Sequence, residues 1–268
     1  MDRKITMLGT GHALVTKCYN TCFTITNGGN IFLVDAGGGN GILSQAEKAG
    51  IDFADIHQMF LTHAHTDHII GVVWVVRKVV TMIEENKYHG SLDIYCHNEA
   101  ASALTTICGA LLAKKQLAHI GKDIFIRTVA DGDTLSTGGM TLTFFDIKST
   151  KLKQYGFRAV WDNGLALVCP GDEPLCEENY RYAQGADWLM HEAFCLASQA
   201  DVFRPYEKHH SAALDAGKAA TRLGVKNLIL YHTEDANLAN RKRLYTAEAK
   251  EAFGGNIFVP NDLEVINI

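Results

Sequence analysis

Several things that would settle the class of this 268-residue chain quickly are scarce or missing. No apolar run approaches the roughly 20 residues that a membrane-spanning helix needs, so no membrane partner is expected. Met1-Asp-Arg-Lys leads straight into a strand-like run and not into the apolar core of a secretory signal, which makes the cytoplasm the expected location. Positive charge is not in excess. The net charge is −5, with Lys and Arg interspersed among Asp and Glu, so there is no general basic footprint for nucleic acid and only a local patch stays open. The seven Cys are scattered, odd in number and contain no Cys-x-x-Cys pair, which reads as buried free thiols, with a thiol catalyst as the weaker alternative. Asp35-Ala-Gly-Gly-Gly39 has the glycines of a phosphate cradle but the spacing of neither a Walker loop nor a dinucleotide fingerprint. No linker and no short-period repeat divide the chain. With only 4 Pro and 47% hydrophobic residues, the expectation is a well-buried globular fold, one domain over 1–268.

What is present is concentrated in one stretch, Met59-Phe-Leu-Thr-His-Ala-His-Thr-Asp-His-Ile-Ile-Gly71. A short apolar strand, 58–62, runs into His63, His65, Asp67 and His68. With 12 His in the chain, a window of that size should hold well under one, and here it holds three with a carboxylate. Helical residues two apart lie on opposite faces, and a straight strand would turn His68 away from the other three. The expectation is therefore that all four converge on a loop leaving a strand end, where a rigid scaffold can hold functional groups. Neutral imidazole nitrogen and carboxylate oxygen suit zinc and similar divalent metals. A polar surface loop is the bland alternative, but Leu61, Ile69 and Ile70 argue for a packed segment.

Elsewhere the pattern alternates strands and helices in two halves. Strands are expected at 5–8, 22–26, 31–35, 92–96, 124–129, 141–147, 157–161, 165–168, 188–190, 227–231, 257–259 and 263–268. Helices are expected at 41–49, 69–85, 99–112, 211–223 and 238–252, with Gly224 closing the fourth and Ser211 as its N-terminal cap. Asn27-Gly-Gly-Asn30 and Asp162-Asn-Gly164 read as hairpin turns. Three further polar residues fall at strand ends: Asp172, His191 with Glu192, and His232. Taken singly, each is more often hydrogen-bonded structure than a ligand.

His63-x-His65-x-Asp67-His68 resembles the signature of the metallo-β-lactamase superfamily, and most of all its ribonuclease Z and phosphodiesterase branch. The resemblance covers nearly the whole chain. It implies an α/β fold with αββα layering, His63 and His65 on one metal, and Asp67 and His68 on a second. It implies Asp172 as the bridging carboxylate, His232 as the last ligand of the second metal, His191 as proton donor and Glu192 as the group that orients it. Asp35 would support the metal loop. His209-His210-Ser211 also resembles a family motif, with His210 contacting substrate or supporting groups. The implied cofactor is one or two Zn2+, with Mn2+ or Fe2+ as replacements, and a homodimer is the family-level expectation.

One position departs from the family pattern. A His expected before the Tyr155-Gly-Phe-Arg158 strand is missing, and Lys148 stands in its place. A unit charge about 4 Å from a divalent cation at an effective dielectric of about 20 is repelled by roughly 8 kcal/mol, about six pKa units. A charged Lys148 and a metal in the first position therefore exclude each other unless carboxylates screen them. The first position is empty with the ammonium in its place, or Lys148 is neutral or modified and ligates, or it swings out and a group such as His12 completes the set.

The implied activity is hydrolysis through a metal-bound hydroxide, since coordination lowers the pKa of water toward about 7. Lys148 would then stabilise developing charge. The segment from Gly156 to Gly171 has room only for a hairpin, not for the arm of long-form relatives that process transfer RNA. The expected substrate is a small phosphodiester, such as a cyclic nucleotide, or a short nucleic acid. Carboxylic ester or lactone hydrolysis on the same residues is the alternative, and a non-catalytic ligand-binding role is the second. A redox di-iron role is disfavoured by His65 where that branch favours Glu.

Overall fold

The computed structural model describes residues 3–268; Met1 and Asp2, the start of the run expected to enter the first strand, lie outside the described residues. In chain order the elements are β1 (Arg3–Gly9), β2 (Cys22–Asn27), β3 (Asn30–Val34), α1 (Gly41–Lys48), β4 (Ile56–Phe60), α2 (Thr66–Glu84), β5 (Leu92–Cys96), α3 (Asn98–Leu111), α4 (Lys114–Leu117) and β6 (Ile124–Thr128). There follow β7 (Thr134–Thr137), β8 (Met140–Asp146), β9 (Tyr155–Trp161), β10 (Ala166–Cys169), α5 (Tyr180–Ala183), β11 (Trp188–Glu192), α6 (Ala200–Phe203), α7 (Ala213–Leu223), β12 (Asn227–Tyr231), α8 (Arg241–Lys250), β13 (Asn256–Phe258) and β14 (Val265–Asn267). They form two compact units. One comprises the segment ending at Gly9, Tyr19–Ala130 and Asp262–Ile268; the other comprises Thr10–Cys18 and Asp131–Asn261.

The first unit is a seven-stranded sheet ordered β14-β1-β2-β3-β4-β5-β6. Its β14 to β3 half is antiparallel, and β3 to β6 run parallel. Gly28 (φ +55°) and Gly29 (φ +94°) make the β2–β3 turn, where two successive left-handed residues match the twist of the flanking strands. Helix α2 buries Ile69, Val72, Val73, Val76, Val79 and Val80, a spacing that lays one apolar stripe on the sheet. Each such side chain contributes roughly 1.5–3 kcal/mol relative to exposure. The helix starts at Thr66, three residues before the expected 69, because His65 is extended (ψ 150°) and already acts as the N-cap residue. Gly71 sets its position: its N–H donates to the Gly37 carbonyl at 2.8 Å, and a Cβ there would overlap the Ala36 carbonyl.

The second unit is also seven-stranded, ordered β13-β12-β11-β10-β9-β8-β7. Here β7 to β10 are antiparallel and β10 to β13 are parallel. Strand β7 was not expected; it is short and half exposed, so it lacks the apolar alternation that would mark it. Helix α7 packs Ala213, Ala216, Ala220 and Leu223 into the unit's core, and Gly217 lets the Ala249 carbonyl of α8 approach. Gly224 (φ +65°) closes α7 as expected. Ser211 does not cap it. The N-cap position is Ala212, whose N–H donates to Asp215 Oδ2, while Ser211 bonds to Glu192. Among the described residues, no helix is long and apolar enough to cross a membrane.

Candidate functional site

In the first unit, β3 and β4 are parallel neighbours, so the turn after β3 lies beside the segment after β4. Asp35 ends β3 in the left-handed region (φ 54°), a conformation that Asp tolerates better than most residues. Its backbone N–H donates to the Phe60 carbonyl at 2.8 Å. Its carboxylate then takes three partners: the Thr62 N–H at 2.9 Å, the Thr62 hydroxyl at 2.8 Å and His68 Nδ1 at 2.8 Å. Asp35 therefore supports the loop as expected, and it does so through identifiable protons.

Those protons fix the imidazoles. The Thr62 hydroxyl has one hydrogen, which goes to Asp35, so at 2.9 Å from His63 Nδ1 it accepts from that nitrogen. His63 Nε2 is left with its lone pair. His68 Nδ1–H likewise donates to Asp35, leaving His68 Nε2 as the donor atom. His63 Nε2 and His65 Nδ1 converge at 2.8 Å, and the His63 and His68 rings lie 4.2 Å apart. His68 Nε2 is also 3.5 Å from Asp67 Oδ2. Burial opposes charge on His68, yet Asp35 and Asp67 outweigh it and hold its pKa well above the ordinary imidazole range. The two carboxylates thus favour a cation at Nε2, a proton or, in its place, a metal ion. His63 and His65 sit on the loop, but Asp67 and His68 lie in the first turn of α2, which corrects the expectation of four residues on one loop.

In the second unit, β10 leads to Pro170, Gly171 and Asp172, and the buried Tyr231 hydroxyl donates to the Gly171 carbonyl. His232 follows β12 in the left-handed region (φ 56°) and brings Nε2 to 3.7 Å from Asp172 Oδ2. His210 Nδ1 donates to the Asp172 carbonyl at 2.8 Å, and its ring stacks on Phe194 at 4.8 Å. Glu192, at the end of β11, is fully buried. Its Oε1 accepts the Ser211 N–H at 2.6 Å, and its Oε2 lies 3.6 Å from His210 Nδ1. Burial pushes the Glu192 carboxyl well above its usual range and pushes His210 down to about 4. His191 is buried too, with Nδ1 donating to the Glu192 carbonyl at 2.6 Å and its pKa lowered by that burial.

Lys148 sits on left-handed backbone (φ 64°) after β8, with its side chain half exposed and Nζ 3.8 Å from Asp146 Oδ2. Its charge partner is Asp146. His12, the substitute considered for the missing His, packs against Phe194 at 4.5 Å and lies 6.3 Å from His232, ring to ring. The residue that sequence reasoning underweighted is His210. Its neighbour Ser211 suggests a helix cap, whereas the structure ties Ser211 to Glu192 and His210 to the Asp172 carbonyl and the Phe194 ring.

Each unit therefore offers imidazole nitrogens and carboxylate oxygens as donors. In the first unit Thr62 and Asp35 accept from Nδ1 of His63 and His68, which turns the Nε2 of each ring toward the remaining groups of the stretch, His65 and Asp67. That donor chemistry fits a divalent metal ion.

A family model described as the anti-Pycsar protein Apyc1 matches residues 3–241. A ribonuclease Z of Mycobacterium marinum is 26% identical over 281 aligned residues, covering 99% of this chain and 98% of that protein. Among solved structures, the metallo-β-lactamase fold protein YhfI of Bacillus subtilis matches with a TM-score of 0.81 at 20% identity, covering all of both chains. The short form of human tRNase Z matches with a TM-score of 0.74 at 19% identity, covering 98% of each. The fold is accordingly α/β, the αββα class expected from the sequence.

Proposed function

Because the chain belongs to the family of the anti-Pycsar protein Apyc1, in the ribonuclease Z-like branch of the metallo-β-lactamase superfamily, and is a metal-dependent, phosphodiesterase-like hydrolase, we propose that it cleaves a small phosphodiester. A cyclic nucleotide and a short RNA are both within that class. The observation that carries the metal-dependent part is the pair of locked tautomers at His63 and His68. The small substrate is supported by the β9–β10 connection, a turn from Trp161 to Ala166 with no inserted arm. The proposed ligands are His63, His65, Asp67 and His68 from the first unit, with Asp172 and His232 from the second. The proposed metal is zinc, one or two ions, with Mn2+ or Fe2+ as replacements. A homodimer in the cytoplasm completes the proposal, and sedimentation analysis checks the assembly.

A divalent ion at these donors supplies Lewis-acid charge and makes water available as a nucleophile near neutral pH. The protein's own groups do the rest. Thr62 and Asp35 hold His63 and His68 in the donor tautomer. His210, anchored through Nδ1 on the Asp172 carbonyl, keeps Nε2 to take a proton from the attacking water and pass it to the leaving oxygen. The Asp172 carbonyl, accepting from Nδ1, holds the ring in the tautomer whose Nε2 lone pair can take the proton, and Glu192 Oε2 lies 3.6 Å from Nδ1. We assign the proton transfer to His210 and not to the expected His191, whose Nδ1 donates to the Glu192 carbonyl at the end of β11. Lys148, matched to Asp146, stays outside the reacting set.

Hydrolysis of bis-p-nitrophenyl phosphate, a p-nitrophenyl ester and a lactone, each with and without added zinc or manganese, tests the proposal. Metal-dependent cleavage of the diester above the other two is expected. Preference for the ester or lactone would favour the alternative hydrolase, and inactivity toward all three with metal bound would favour a ligand-binding role.

A further inference from the structure

The connection between β8 and β9 carries Lys148, Ser149, Thr150, Lys151 and Lys153 in six positions, in a chain whose net charge is −5. Nothing in the reaction described above uses it. Yet the segment is tied to the chemistry of the second unit from two sides. On one side, the Ser149 hydroxyl donates to Glu173 Oε1 at 2.9 Å and Lys151 Nζ stands 3.8 Å from the same oxygen. Glu173 directly follows Asp172. On the other side, Lys151 Nζ donates to the Lys208 carbonyl, and Thr150 Oγ1 is 3.3 Å from His209 Nδ1. His209 directly precedes His210.

The lysines of this patch differ in what they have left to offer. Lys148 is drawn to Asp146, with its side chain half exposed. Lys153 lies over the Tyr155 ring at 5.6 Å, and Lys208 over the Phe194 ring at 4.9 Å. Lys151 is held by the Lys208 carbonyl and the Glu173 charge, with 28% of its side chain still open to solvent. An ammonium has three donors, and a carbonyl uses one of them. Lys151 is thus a fixed cation with donor capacity to spare, bracketed by the neighbours of Asp172 and His210. A structural ion pair with Glu173 alone would not need the second tie to Lys208, nor left-handed backbone at both Lys148 and His209.

We propose that Lys151 is the substrate-binding cation of this protein, donating to a non-bridging oxygen of an anionic phosphodiester and setting the preference for charged over neutral substrates. This rests on the phosphodiesterase reading. It accounts for the run Lys148-Ser-Thr-Lys-Leu-Lys153, which a neutral ester or lactone substrate would not require.

The test compares wild type with Lys151→Met and Lys151→Arg in the purified, metal-bearing protein. Steady-state hydrolysis of bis-p-nitrophenyl phosphate gives kcat and KM separately. Calorimetric titration with inorganic phosphate gives anion affinity without turnover. Lys151→Met should raise KM about tenfold or more with kcat within about twofold, the size of a lost charge-assisted hydrogen bond, and weaken phosphate binding in proportion. Lys151→Arg should recover most of both. A KM and a phosphate affinity that Lys151→Met leaves within about twofold of wild type overturn the proposal, as does a KM rise that Arg fails to reduce. If wild type does not cleave the diester at all, the phosphodiesterase reading falls. The phosphate titration then decides on the Lys151 site alone, with unchanged affinity overturning it.

Discussion

The first unit carries its four donor residues between His63 and His68, whereas the second gathers Asp172, Glu192, His210 and His232 from separate segments. The two sheets have the same plan, seven strands with one antiparallel half and one parallel half. Each places an αL residue at a strand end to turn a side chain, Asp35 in one and His232 in the other. They differ in how the donors are fixed. The first unit uses side chains on side chains, with Thr62 and Asp35 defining which nitrogen of each imidazole carries its proton. The second uses backbone: the Asp172 carbonyl orients His210, and the Glu192 carbonyl orients His191. Removing one side chain should therefore disturb donors in the first unit more than in the second, where the carbonyl orienters survive any substitution.

The largest effect should come from stripping both units at once. Treatment with a chelator is expected to abolish diester hydrolysis, and added zinc or manganese should restore it; activity that persists after exhaustive chelation would contradict a metal role. Next is His210→Ala, which should lower kcat by about 10²–10⁴-fold, the range for losing a positioned proton carrier, with metal content intact. His191→Ala should cost less in kcat and show up as lost stability in thermal melts. If His191→Ala proves the more damaging of the two in kcat, the proton-transfer assignment reverts to His191.

In the first unit, Asp35→Ala should weaken metal affinity about 10–100-fold in a competition titration, as loss of a hydrogen-bond partner behind a ligand does. Gly71→Ala and Gly217→Ala then make a matched pair. Each puts a methyl group against a carbonyl, Ala36 or Ala249, and each should cost about 1–3 kcal/mol by overpacking. Gly71→Ala should also lower metal affinity, because Gly71 binds the turn that carries Asp35; Gly217→Ala should leave it unchanged. Equal metal affinity in the two variants would break the contrast. The smallest effect expected is that of Lys148→Met, a change in kcat within about twofold, in keeping with an exposed ion pair to Asp146.

The same contrast explains what could be read from the sequence. The first unit's donors lie close together along the chain, and the strand before them and the apolar stripe after them were visible as patterns. Helix α2 starts three residues before the expected position because His65 caps it through its extended backbone, and its side chain makes no capping bond. In the second unit, Asp172 and His232 fell at strand ends and could be named, yet their partners could not. That Ser211 serves Glu192 and not helix α7 depends on the β11 register and on the residue that follows. The placement of Lys148 depended on a loop conformation with positive φ at a non-glycine residue, for which the sequence gives no signal.

The central claim, that donors from both units serve bound divalent metal, is tested most directly by elemental analysis of purified wild type, His68→Ala and His232→Ala side by side. The account predicts at least one equivalent of divalent metal per wild-type chain, and a lower content in each variant. Wild type without metal, or undiminished metal in either variant, would contradict it.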